Sequence, residues 1–228
     1  MAPRQRFLLI AVVALAAIAI SAQVALSSPW LGLELSPHDG PEGLRVDRVH
    51  PDSPNAGVIR VGSIIVGLQA ADGRQIPLHG NLVMEEPDLL SHTDLNLFMK
   101  RQTELDQALR SGGARFVLAS GDQVPVVAID TPWHQLSGGF SIHTFYGLIA
   151  LMVAVGIWAF RPKSAATRLY ALSGVATMVN TLTLAIYGDR EFVLSGDVFA
   201  VVSAVNHLAT LMVNASLVSL FWVYPRPL

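Results

Sequence analysis

Apolar and polar positions divide this chain into two regimes. Four uncharged apolar stretches, Phe7–Leu26, Ile142–Phe160, Leu169–Tyr187 and Val198–Tyr224, each come to the roughly 20 residues a helix needs to cross about 30 Å of hydrocarbon. Between the first and second lies a polar block of about 115 residues, punctuated by Gly and Pro. Its periodicity is that of strands. Trp30–Leu35 is a strand candidate. Gly43–Val49 places Leu44 and Val46 on one face before His50-Pro51-Asp52-Ser53-Pro54 breaks the run. Ser63–Leu68 is continuously apolar, too short for a helix and rich in Ile and Val, which predicts a buried strand. Ala71-Asp72-Gly73 marks a turn. Phe116–Ala119 and Gln123–Val127 flank Ser120-Gly121-Asp122 as a hairpin, and Pro125 confines its last strand to a sheet edge. Thr103–Arg110 predicts a two-turn helix capped by Thr103, with Leu105 and Leu109 on one face and Gly112-Gly113 as its stop.

Charge orients these pieces. With the N-terminus in the cytoplasm, the inner segments hold Arg4, Arg6, Arg161, Lys163, Arg168 and Arg226, which is 6 of the 15 basic residues, and none of the 17 acids. Short loops with a basic excess stay inside, whereas long domains translocate largely regardless of charge. The expectation is a multi-pass protein of a bacterial inner membrane, with both termini inside and residues 29–141 on the periplasmic or extracellular side. Residues 1–28 form the first anchor. Arg4 and Arg6 ahead of an apolar run ending in Ala19-Ile20-Ser21-Ala22 also fit a cleaved signal peptide, although a run near 20 residues favours an uncleaved anchor. Residues 29–130 form the exported domain, 131–141 a linker and 142–228 a three-span membrane domain. Hydrophobic residues make up 52% of the chain and charged ones 14%. The balance of charge is near neutral, so no basic patch for nucleic acid is present. No cysteine is available for a disulfide or a thiolate metal site.

The exported block resembles a PDZ domain of the bacterial periplasmic type over about residues 30–129. The resemblance is carried by Trp30-Leu31-Gly32-Leu33, by Leu44–Pro54, by Arg60-Val61-Gly62-Ser63-Ile64-Ile65-Val66, by Asp72-Gly73, and by the helix and final hairpin. It implies an α+β PDZ-like barrel or sandwich with two helices, joined to an α-helical membrane bundle of four spans. It also implies that backbone N–H groups of the Leu31-Gly32-Leu33 loop capture a C-terminal carboxylate while an extended peptide adds as a strand. Leu33 and Leu35 would then line a groove opposite Leu105 and Leu109. The chain departs from that pattern in three places. Gly62-Ser63 replaces the family's usual Gly-Asp, the Ser53–Ile59 segment is about a residue short, and an insertion spans residues 78–102. That insertion contains Glu85-Glu86-Pro87-Asp88 and a helical-looking Leu95–Lys100, and it would cover the groove or dock on the membrane domain. A PDZ-shaped scaffold that binds no free peptide is also compatible with these residues.

The second, third and fourth spans lack Asp, Glu, Lys and Arg, so no ion or proton path is evident. They carry Asn180, Asn206, His207 and Asn214, read as an intramembrane polar cluster that hydrogen-bonds between helices, and Gly147, Gly156 and Gly174, which allow close helix approach. His143 and His207 differ in depth by on the order of 15 Å, too far to share a metal, and no cofactor is called for. Trp133, Tyr146, Tyr187, Trp222 and Tyr224 fall at expected interfaces.

No catalytic set is recognisable. There is no His-Glu-x-x-His and no Walker loop. Ser173 with His207, and Ser91-His92-Thr93, lack the surroundings that a rhomboid-type pair or a phosphoacceptor histidine needs.

The layout is similar to the N-terminal sensory half of membrane sensor histidine kinases. Asp94–Gln102, Arg168–Gly174, Val205-Asn206-His207-Leu208 and the Tyr224-Pro225 exit carry this likeness. It implies a signal-sensing input module whose partners are membrane lipid, a C-terminal peptide or envelope protein, a cytoplasmic kinase or fused output domain, and a second copy as a homodimer. Kinase activity would require a C-terminal continuation. Two other readings stand beside it: a membrane-tethered PDZ adaptor that recruits peptides or proteins to a separate envelope protease, and a transporter accessory subunit.

Overall fold

The computed structural model describes residues 2–38, 43–85, 87, 90–136 and 138–224. Arg226 and the Pro225 exit lie outside these residues, as do Glu86 and Asp88 of the acidic run. The chain forms two compact units, one of Met1–Ala25, Leu136–Asp189 and Val201–Leu228, the other of Leu26–Gln135 and Arg190–Ala200.

The first unit is helical. Its helices are α1 (Pro3–Leu26), α3 (Gly138–Phe160), α4 (Ala165–Tyr187) and most of α5 (Gly196–Val223). All four are long and apolar enough to cross a membrane. Each helix begins two to four residues ahead of its apolar run, because backbone hydrogen bonding does not stop where side chains turn polar. Pro3 suits the first turn of α1, where its missing N–H costs nothing. Small residues set the packing. At Gly147 an added Cβ would meet Thr181 and Met178, and at Gly174 it would meet Ala154 and the Ala150 carbonyl. Backbones therefore approach closely along α3 and α4, the route to van der Waals gain where lipid tails remove the hydrophobic drive between helices. Ala14 of α1 joins Leu151, Val155, Met178 and Leu182 in one buried cluster. Arg6 adds a guanidinium stacked 5.6 Å over Trp158.

The second unit is built on an antiparallel sheet. Strands β2 (Leu33–Pro37), β3 (Leu44–Val49), β4 (Ile64–Gln69), β6 (Arg115–Leu118) and β7 (Gln123–Pro125) lie side by side in that order. Strand β5 (Gln75–Pro77) also pairs with β4. A separate ribbon pairs β1 (Pro29–Trp30) with β8 (Ile129–Asp130). Alternation buries Leu44 and Val46 while Arg45 and Asp47 face outward. Pro125 lies on edge strand β7, where its missing donor is tolerated. Leu33, Ile65, Leu68, Ile76, Phe116, Leu105 and Leu82 are fully buried in the core.

Two helical expectations are corrected. Leu95–Lys100 and Thr103–Arg110 are parts of one 20-residue helix, α2 (His92–Ser111). Its cap is Ser91, whose Oγ accepts from the Asp94 N–H while donating to the Asp94 carboxylate. Thr103 instead lies mid-helix, with its hydroxyl donating to the Met99 carbonyl. The Ser53–Ile59 segment, read as about a residue short, is a run of turns. Gly57 there adopts φ +81°, outside helical geometry, and the Asn55 side chain is drawn into bonds elsewhere.

Candidate functional site: a carboxylate held at the Leu31–Leu33 turn

The strand expected over Trp30–Leu35 is broken in two. β1 ends at Trp30 and β2 begins at Leu33, and Gly32 between them takes φ +70°. A Cβ at Gly32 would stand 2.5 Å from the Ser53 Cβ and 2.7 Å from the Ser53 Cα, so both the conformation and the space demand glycine. The carbonyls of this turn are tied back. Leu31 O accepts from Ser53 Oγ at 2.6 Å and from Asn55 Nδ2 at 2.9 Å, and Gly32 O accepts from the His50 N–H at 2.8 Å. Asn55, 1% exposed, also donates to Val127 O and accepts from the Val127 N–H, each at 2.8 Å. With the carbonyls occupied on one side, the amide N–H groups of the turn are left to face the other.

There they meet the carboxylate of Glu191. Leu31 N–H donates to Oε2 at 2.6 Å and Leu33 N–H to Oε1 at 2.5 Å, one donor for each oxygen. Gly32 N–H is a third backbone donor to the group. Burial nevertheless dominates, raising the Glu191 pKa from 4.5 to about 7 against the opposing pull of these hydrogen bonds. The turn is thus a backbone anion cradle of the kind that successive N–H groups create.

The residues after Glu191 continue along α2. Phe192, Val193 and Leu194 are buried. Leu194 N–H donates to Gln102 Oε1 at 3.1 Å, while Gln102 Nε2 donates to Leu82 O at 3.0 Å. Gly196 N–H donates to Thr103 Oγ1 at 3.1 Å. A side chain at Gly196 would run into the Met99 carbonyl. Phe199 packs edge-on against Phe98 at 5.3 Å, and the Arg190 guanidinium covers Phe199 at 4.8 Å. Arg190 also donates to the Met84 carbonyl.

Of the groove residues expected from sequence, Leu31 and Leu33 supply the donors and Gly32 the turn. Leu105 and Leu109 are buried on α2. Leu35 is only half-buried, because a register shift between Glu34 and Leu35 interrupts the strict alternation of β2. Glu191, Asn55 and Gln102 escape the sequence reading. For Glu191 the available signal was an apolar Phe192-Val193-Leu194 in a short connection between two apolar helices. Asn55 and Gln102 carry no local mark, since only tertiary placement makes their amides matter.

The polar group of the helical unit is partly redrawn. Asn206 Nδ2 donates to Asn180 O at 2.9 Å and Thr183 Oγ1 at 3.0 Å, and Asn180 Nδ2 donates to Thr210 Oγ1 at 2.7 Å. The His207 Nδ1–H donates to the Ser203 carbonyl one turn back at 2.7 Å, and both His207 and Asn214 are exposed. At 100° per residue, positions 207 and 214 turn away from the face that carries 206. His143 pairs with Asp189 at 3.1 Å, and Ser173 Oγ donates to Tyr170 O within its own helix. Tyr187, expected at an interface, is buried. No protein-family model, curated protein or solved structure matches this chain.

Proposed function

We propose that the chain is a membrane signal-sensing input module whose sheet-bearing unit, exported across a bacterial inner membrane, recognises a peptide or protein through a carboxylate. The observation that carries this reading is the pair of Leu31 and Leu33 N–H groups converging on two oxygens of one carboxylate. Such a cradle suits a chain terminus as well as it suits an acidic side chain. The PDZ-like character of the unit, read from its sequence, agrees with an antiparallel sheet flanked by α2. A cytoplasmic kinase or other output domain, fused or separate, reads the state of the helices. An input role is favoured over a passive mooring by the path of the chain: the segment that touches the cradle is the connection between α4 and α5, so a change at the cradle acts on residues covalently joined to both.

The test is a titration of the full chain in lipid nanodiscs with peptides that end in an apolar residue. A free C-terminal carboxylate is expected to give saturable binding, and the amidated peptide none. Equal binding of the two forms, or none by either up to millimolar concentration in both the natural chain and Glu191→Ala, would overturn the reading.

A further inference from the structure

The cradle is already filled by the chain itself. We infer that residues 191–196 are a built-in, displaceable occupant of the Leu31–Leu33 site, and that the partner they yield to is an extended peptide with a free C-terminal carboxylate and apolar last residues. This rests on the carboxylate reading of the site given above and adds how the site is regulated.

Three observations carry it. The first is chemical identity. Glu191 presents the same two oxygens as a chain terminus, and the Leu31 and Leu33 N–H groups are one set of donors, already engaged at 2.6 Å and 2.5 Å. Two carboxylates cannot hold them at once. The second is the apolar run that follows the acid. Phe192, Val193 and Leu194 are 1%, 1% and 3% exposed, so apolar side chains beside the cradle are buried with the acid, although the chain runs away from the carboxylate in the direction opposite to a peptide that ends there.

The third is the way the segment is held. β2 ends the order of the described strands, with β3 on one side and no strand on the other. The occupant does not pair with β2 as a strand. Its backbone donors go to side chains instead, Leu194 N–H to Gln102 and Gly196 N–H to Thr103. An added strand would gain a ladder of main-chain hydrogen bonds that the internal occupant forgoes. The incoming peptide therefore has contacts to gain beyond those it replaces. The aromatic arm of Phe199, Phe98 and Arg190 keeps the following turn of α5 in place while the acid leaves.

Two substitutions release the segment at different contacts. Glu191→Ala removes both oxygens that accept from the Leu31 and Leu33 N–H groups. Gly196→Ala sets a methyl against the Met99 carbonyl. The probe is a fluorescein-labelled Gly-Ser-Phe-Val-Leu peptide with a free C-terminus, read by anisotropy on the full chain in nanodiscs, with its C-terminal amide as control. Both variants are expected to bind the acid at least tenfold more tightly than the natural chain, with no gain for the amide. Equal affinity in all three proteins overturns the displaceable occupant and leaves the carboxylate reading standing. Binding by none of the three overturns that reading, and the inference falls with it.

Discussion

Glu191 ionises near neutrality because loss of water outweighs the three backbone donors that face it. The sign of the pH effect follows. A carboxyl whose pKa is raised on docking binds its proton more tightly when docked, so docking is strongest below pH 4.5 and weakens as pH rises through about 7. The interval corresponds to about 3 kcal/mol at its limit. Thermal unfolding of the full chain is expected to lose stability between pH 5 and 8 relative to Glu191→Gln, and parallel pH profiles for the two would refute the assignment. At this scale the sequence marks residues whose requirement is local. Gly32 is one, because a broken strand and a crowded turn leave a signature in the residue type. Asn55 is not: its amide joins Leu31 to Val127, 24 and 72 residues away, and no local pattern encodes such a bridge.

Among the elements, α2 exposes the weakness of reading helices in pieces. Thr103 fits a cap when the run from Leu105 is seen alone, yet the Ser91–Asp94 box starts the helix twelve residues earlier. Gln102 and Thr103 then serve as side-chain acceptors for the Leu194 and Gly196 N–H groups. The predicted strands survive well, because burial of one face imposes a period of two on residues such as Leu44 and Val46. In the helical unit, glycines that look alike in sequence differ in consequence. Gly174 lies against Ala154 and Leu151, whereas a side chain at Gly156 would meet nothing within 4 Å. Gly174→Leu is expected to destabilise the chain in detergent by about 2 kcal/mol through overpacking, despite a helix-propensity gain of up to ~1 kcal/mol. Gly156→Ala should be neutral or slightly stabilising. Equal unfolding free energies for the two variants would show that close α3–α4 contact is not what Gly174 provides.

For the whole molecule, the two units are not continuous in sequence. Arg190–Ala200 belongs with the sheet, although it falls inside the region that hydropathy assigns to three successive spans. Sidedness is decided at this scale too. Reporter fusions at Asp72 and Lys163 are expected to lie on opposite sides of the membrane, Asp72 outside, and fusions on the same side would overturn the proposed topology. The sequence by itself determined the four apolar helices and most strands, because hydropathy and alternation act over a few residues. Only the tertiary structure decided that a turn breaks the strand at Gly32 and that Glu191 fills it, that Asn180 meets Asn206, and that α2 receives a loop from over ninety residues away. Those pairings depend on which distant groups desolvate each other, and that is settled only when the chain has closed upon itself.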